Sequence, residues 1–147
     1  MEERPAKIDW WLFGICCSRV LTYLVFMAYA AALPVLQREW EMSAAAAGSI
    51  SGGFQISYAF SLFIFSILAD TMGAKRVFLL SNFLCAIAAL LFTTFARNYI
   101  SGLLLYALIG LSLGGVYTPG LMIVTNRYSS ERRGLATGFF IASTSLS

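Results

Sequence analysis

The stretch LADTMGAKRVF, residues 68–78, decides how this chain folds, because it is a short polar interruption between two long apolar runs. It holds one acid, Asp70, one glycine, Gly73, and a basic pair, Lys75 and Arg76. Glycine adopts backbone conformations that other residues resist, so the stretch predicts a tight turn. Two apolar helices joined by so short a connection must lie side by side and antiparallel.

The composition indicates a membrane protein. Of the 147 residues, 59% are hydrophobic and 12% are charged, whereas a soluble domain is about 25% charged. The mean hydropathy is +0.78. A bilayer core about 30 Å thick requires about 20 mostly apolar residues for each spanning helix. Four runs meet this requirement, at about 11–36, 44–69, 77–96 and 100–125.

These runs predict an all-α membrane protein with a single transmembrane domain over residues 1–147. A fifth apolar run, at about 134–147, is too short to span a bilayer. We interpret it as the start of a fifth spanning helix in a chain that is cut within it. The alternative is a re-entrant or surface segment at the C-terminus.

The basic residues predict the orientation. With a cytoplasmic N-terminus, the inner side holds Arg4, Lys7, Lys75, Arg76, Arg127, Arg132 and Arg133, and the outer side holds only Arg38 and Arg97. Cytoplasmic loops carry such an excess of Lys and Arg. The sequence thus predicts an integral protein of the plasma membrane or bacterial inner membrane, surrounded by lipid. The net charge of +3 reflects topology, and no nucleic-acid partner is expected.

Metal, cofactor and catalytic sites are not expected. The chain has no histidine, and its three cysteines, Cys16, Cys17 and Cys85, lie inside apolar runs without the spacing of metal ligands. Acidic residues form no cluster of catalytic type. An enzyme is therefore the least favoured class.

Arg19 is the most informative polar residue, because it lies about two turns into the first helix. A charge at membrane depth costs at least about 2.5 kcal/mol and should face the bundle interior or a watery cavity. One interpretation is a cationic contact for an anionic solute. The other is a side chain that extends to the cytoplasmic headgroups.

Helical spacing places further polar and aromatic residues on faces that could meet Arg19. Tyr23 and Phe26 follow it on the first helix; Ser51, Gln55 and Tyr58 share a face of the second; Gly110, Gly114 and Tyr117 share a face of the fourth. The pattern predicts a solute cavity lined by Arg19, Tyr23, Gln55, Tyr58 and Tyr117. The alternative is hydrogen bonding that only holds the helices together.

Proline and small residues carry two further predictions. Pro119 lacks a backbone donor and is expected to kink or break the fourth helix. Small residues four apart predict close helix packing, which is favoured over solute contact. These are Gly48 and Gly52, Gly110 and Gly114, and Gly134, Gly138 and Ala142.

The turn SILADTMGAKRV resembles the loop between helices 2 and 3 of the major facilitator superfamily, Gly-x-Leu-Ala-Asp-Arg-x-Gly-Arg-Lys/Arg. It matches at Leu68, Ala69, Asp70, Gly73 and Lys75-Arg76, and departs at Ser66, Thr71 and Ala74. RYSSERRGLATGFF looks like the entry to the family's fifth helix, and AALPVLQREWEMS resembles the end of its first helix.

The resemblance implies the N-terminal part of a transporter that moves a small-molecule substrate by alternating access together with a remaining C-terminal part. It also implies a cytoplasmic gate in which Asp70, Gly73, Lys75 and Arg76 latch two halves, with Arg132 and Arg133 as candidate partners. Arg19 favours an organic or inorganic anion as the substrate. A symporter is the expected class of transporter.

Two rival functions are weighed against this one. A small drug/proton exporter resembles the chain in span number, but it needs an acid in its first span, where this chain has Arg19. A non-transporting four-helix membrane subunit would not need polar faces on three helices.

Overall fold

The computed structural model describes residues 10–145, which form five helices joined by very short turns. The helices are α1 (Trp10–Glu39), α2 (Ala44–Met72), α3 (Ala74–Phe95), α4 (Tyr99–Arg127) and α5 (Ser130–Ser145). The first four are long and apolar enough to cross a bilayer, which confirms the predicted all-α membrane fold. Their ends differ from the predicted spans by a few residues, because polar residues at the ends continue the helices. We call the end of the bundle with the α2–α3 and α4–α5 turns the inner end, and the opposite end the outer end.

The fifth helix runs back into the bundle along α1 and α4. Phe140 is fully buried and forms a small apolar cluster with Ala136 of α5 and Val124 of α4. Leu12 and Ile15 of α1 pack against this cluster. Residues 130–145 are therefore part of the bundle and do not form the surface segment that was the alternative.

One residue connects α2 to α3. Gly73 has a φ of +90°, in the region that favours glycine. Its N–H donates to the Ala69 carbonyl at 3.0 Å, and its own carbonyl accepts from the N–H groups of Arg76 and Val77 at 3.1 and 3.3 Å. The same residue thus completes the end of one helix and supplies the first acceptor of the next.

Side chains cap the outer ends of α2 and α4. Ser43 Oγ accepts from the Ala46 N–H at 3.2 Å. Asn98 Oδ1 accepts from the Ser101 N–H at 2.9 Å, while Ser101 Oγ accepts from the Asn98 N–H at 3.1 Å. Such reciprocal caps satisfy backbone donors that a helix start leaves open.

The fourth helix is not broken at its proline. It runs continuously from Tyr99 to Arg127 with Pro119 inside and buried, and α1 likewise continues through Pro34. In membranes, neighbouring helices and local adjustments satisfy the backbone groups that a proline frees. The break allowed by the sequence therefore does not occur.

The backbone of α4 comes very close to α2 and α3. A Cβ added at Gly110 would lie 2.6 Å from the Phe54 carbonyl oxygen, and one at Gly114 would lie 2.7 Å from the Leu62 nitrogen. One at Gly115 would lie 2.7 Å from Ser81 Cβ on α3. Close packing is thus confirmed at Gly110 and Gly114, and Gly115 extends it to α3.

The other small-residue stripes do not pack within the described bundle. A Cβ at Gly48, Gly52, Gly134 or Gly138 would meet no heavy atom of residues 10–145 within 4 Å. The predicted close packing is not formed at these positions within residues 10–145, because their helix faces point away from the neighbouring helices of this bundle. The spacing of small residues does not show which face of a helix a neighbouring helix covers.

We predict that Gly114→Ala destabilises the bundle by about 1–3 kcal/mol, because the new methyl group meets α2 backbone that cannot move aside. The thermal midpoint of the detergent-purified protein should fall. Gly52→Ala is the matched control, since its methyl group enters open space. Equal midpoints for the two variants would contradict the packing described for Gly114.

The end of α1 supplies a second prediction. Glu41 has a φ of +49°, and the N–H of Met42 donates to the Gln37 carbonyl at 3.0 Å, the pattern of a Schellman cap. Glycine avoids the cost of this conformation, so Glu41→Gly should stabilise the protein by about 0.5–1 kcal/mol. Glu39→Gly, inside the helix, should lower the thermal midpoint. A decrease for Glu41→Gly as well would contradict the cap.

Candidate functional site

One cavity of the described bundle lies between α1, α2 and α4. Its volume is about 90 Å³. Its lining comes from Arg19, Tyr23 and Phe26 of α1, Phe54, Gln55 and Tyr58 of α2, and Leu113, Val116 and Tyr117 of α4. All five residues predicted to bind a solute, Arg19, Tyr23, Gln55, Tyr58 and Tyr117, therefore line one cavity, and their role stays a prediction.

Helix geometry explains why these residues meet. Arg19, Tyr23 and Phe26 are spaced by four and three, so they share one face of α1. Phe54 and Tyr58 are similarly spaced on α2, and Leu113, Val116 and Tyr117 on α4. The close approach of α4 to α2 at Gly110 and Gly114 brings the last two faces together.

The Arg19 side chain lies inside the bundle. It is 7% exposed, and its guanidinium carbon lies 4.7 Å from the centre of the Tyr117 ring and 4.1 Å from the centre of the Phe140 ring. Aromatic faces attract a cation, more strongly when water is excluded. The guanidinium therefore lies among aromatic side chains of the bundle, and its role in binding stays a prediction.

Aromatic rings close the cavity toward the outer end. Phe26 stacks on Phe54 with ring centres 4.8 Å apart, and Phe54 stacks on Tyr106 at 4.7 Å. The ring centres of Tyr29 and Tyr106 lie 4.2 Å apart, further toward the outer end. The Tyr106 hydroxyl donates to the Phe26 carbonyl at 3.1 Å and so ties α4 to α1. The cavity thus has a polar inner part at Arg19 and an aromatic outer wall.

Three residues that matter for this site escaped the sequence analysis. Phe140 of α5 supplies a ring to Arg19. Tyr106 is the centre of the aromatic wall and is 2% exposed. Asn82 of α3 accepts from Ser18 Oγ at 2.8 Å and lies within 3.1 Å of Thr22 Oγ1. The spacing of Ser18 and Thr22 beside Arg19 is the signal that could have indicated a polar partner for α1.

The gate residues lie together at the inner end but form no latch within residues 10–145. Asp70, Lys75 and Arg76 are exposed around Gly73, and Arg132 and Arg133 are exposed at the start of α5. Arg133 Nε donates to the Tyr128 carbonyl at 3.4 Å. In the described part of the chain, no ion pair joins Asp70 to either arginine. The predicted role of these residues stays a prediction.

Among the described residues, no group of three or more His, Cys, Asp or Glu side chains lies close enough together to hold an ion.

Curated proteins with similar sequences are transporters by name. A Bacillus subtilis (strain 168) protein, whose name proposes niacin/nicotinamide as its solute, is 30% identical over 124 residues, which cover 84% of this chain and 29% of that protein. The MFS-type transporter ppz2 of Metarhizium majus (strain ARSEF 297) is 25% identical over 93% of this chain and 23% of its own length.

A Mus musculus protein with transport as its proposed role, SVOPL, is 29% identical over 78% of this chain and 23% of its own length. The chain thus spans roughly a quarter of the length of these relatives. No solved structure matches the chain.

The model of the Major Facilitator Superfamily matches residues 15–147, from the first helix to the last residue. This match covers α1 from residue 15 onward, the other four helices, the cavity and the inner turns. The chain therefore belongs to the major facilitator superfamily, whose members transport solutes across membranes.

Proposed function

We propose that the chain supplies the anion-binding cavity of a secondary transporter for small organic anions that works by alternating access. The observation that carries the proposal is the burial of Arg19 in the cavity, against the rings of Tyr117 and Phe140. Burying a guanidinium at membrane depth is costly, and such residues commonly belong to a solute pathway.

The remaining lining favours an anion. Three tyrosine hydroxyls, of Tyr23, Tyr58 and Tyr117, and the Gln55 carboxamide can donate hydrogen bonds into the cavity. Among the described residues, no carboxylate lines it. The cavity therefore offers one positive charge and several neutral donors, which suit a carboxylate better than a cation.

The aromatic wall favours an organic over an inorganic anion. Phe26 and Phe54 line the cavity together with Tyr58, whose ring plane lies within 11° of that of Phe54. Flat apolar faces of this kind stabilise a flat or apolar solute body through burial and stacking. The proposed solute of the Bacillus subtilis relative, niacin/nicotinamide, agrees with this choice.

Symport follows from the charge of the solute. Entry of one negative charge against a membrane potential of 100 mV, inside negative, costs about 2.3 kcal/mol. A co-transported cation would offset this cost, which favours symport. We accordingly propose cation-coupled uptake through this cavity.

The gate is the second part of the proposed mechanism. Asp70 lies at the C-terminal end of α2, where the helix dipole disfavours an acid, so the residue gains from a cationic partner in one state of the transport cycle. Arg132 and Arg133, both exposed at the same end of the bundle, remain the candidates. Exchange between paired and unpaired states would couple this end to solute release.

The cavity proposal predicts a charge-specific loss on substitution of Arg19. In proteoliposomes containing the product of the complete reading frame, Arg19→Gln should lower uptake of labelled nicotinate by about ten- to a hundredfold, the range for losing a charged hydrogen-bond donor. Uptake of neutral nicotinamide should change much less. Arg38→Gln, at the exposed end of α1, is the matched control. Equal nicotinate uptake by Arg19→Gln and wild type would refute the role of Arg19.

The gate proposal predicts a turnover defect without a binding defect. Asp70→Lys should lower the maximal rate of nicotinate uptake severalfold and leave KM nearly unchanged, because Asp70 lies outside the cavity lining. Glu39→Lys, an acid-to-base change at the outer end of α1, is the control. Full transport by Asp70→Lys would count against the latch.

A further inference from the structure

The first helix is attached to the bundle differently from the fourth. Only three of its 30 residues are buried, Arg19, Thr22 and Tyr29. Each is polar or carries a hydroxyl, whereas the buried face of α4 is mostly apolar or glycine. Hydrogen bonds and ring contacts therefore supply the fully buried contacts of α1, beside the half-buried apolar contacts of residues such as Leu12 and Ile15.

The strongest polar attachment of α1 to α3 is formed by Asn82. Its Oδ1 accepts from Ser18 Oγ at 2.8 Å and lies 3.1 Å from Thr22 Oγ1, which can also donate to the Ser18 carbonyl at 2.7 Å. Its Nδ2 donates to the Phe78 carbonyl at 2.8 Å on its own helix. This last bond fixes the amide so that its oxygen points at α1.

The positions of the Ser18 and Thr22 hydroxyls relative to Arg19 explain why the contact with Asn82 matters for the cavity. Each residue advances about 100° around a helix, so Ser18 lies about 100° and Thr22 about 60° from Arg19, both on the same side. A carboxamide that holds both hydroxyls therefore sets the rotation of α1 about its axis. That rotation directs Arg19 to the cavity and to the ring of Tyr117.

We propose that Asn82 is a positioning residue for the anion site: by holding Ser18 and Thr22 it fixes the rotation of α1 that places the Arg19 guanidinium in the cavity. The proposal rests on the proposed function in so far as Arg19 binds the anion. Asn82 itself does not line the cavity. Its effect on the solute is therefore exerted through α1.

The test compares anionic and neutral solutes in the product of the complete reading frame, reconstituted in proteoliposomes. Asn82→Leu keeps the side-chain size and removes the carboxamide. It should lower the ratio of nicotinate to nicotinamide uptake by about three- to tenfold, the range that membrane interhelical hydrogen bonds supply. The double variant Ser18→Ala/Thr22→Val should give the same loss. Asn126→Leu, at an exposed asparagine of α4, is the control and should leave the ratio unchanged.

A coupling experiment separates positioning from general damage to the fold. In the Arg19→Gln background, Asn82→Leu should lower the solute ratio no further, because the guanidinium that it positions is already gone. A merely structural role would lower uptake of both solutes in proportion and leave the ratio as in wild type. That outcome would overturn the proposal.

A second readout does not depend on transport. With every other cysteine replaced, the alkylation rate of Cys17, next to Ser18 on α1, reports the rotation of the helix. Asn82→Leu should change this rate by about threefold or more, and Asn126→Leu should not. An unchanged rate would overturn the proposal whatever the solute. A changed rate in a protein that shows no anion preference would overturn the proposed function and retain the attachment of α1.

Discussion

The close approach of the α4 backbone to α2 and α3 is the contact on which the rest of the structure depends. In lipid, helices gain little from hiding apolar surface, so they associate through backbone proximity and hydrogen bonds. Gly110 and Gly114 have no side chain and so let α2 approach closely, and Gly115 does the same for α3. Because α2 and α4 meet there, Tyr58 and Tyr117 face the same cavity and the aromatic wall around Tyr106 can form.

The contrast with α1 connects the architecture to the mechanism. The α2–α4 contact has no room to slide, because backbone meets backbone. The α1 contacts are made by hydroxyls, an amide and ring faces, which can be broken and remade at modest cost. A bundle of this kind combines a closely packed pair of helices with one helix held by polar and ring contacts, which suits the proposed alternating access.

Much of this could be predicted from the sequence, and the exceptions share a physical cause. Hydrophobic run lengths predict the spans, Ser43 predicts a cap, and Gly73 predicts a turn, since each depends on local residues alone. The five cavity residues could be predicted because polar side chains at helical spacing in a membrane tend to face the bundle interior or a cavity. Gly52 and Gly138 were expected in contacts that the described bundle lacks, and Phe140 was missed, because the neighbour of a helix face is decided by tertiary packing.

The single-residue connection at Gly73 has a consequence for the charges around it. A loop of several residues would let the ends of α2 and α3 move separately, but here both helices hydrogen-bond to the same glycine. Asp70 on one helix and Lys75 and Arg76 on the other therefore keep a fixed spacing. Because their backbone positions are tied together, an opposing surface meets these charges as one group of mixed sign. A tilt of either helix would therefore move all three charges together, toward or away from an opposing surface.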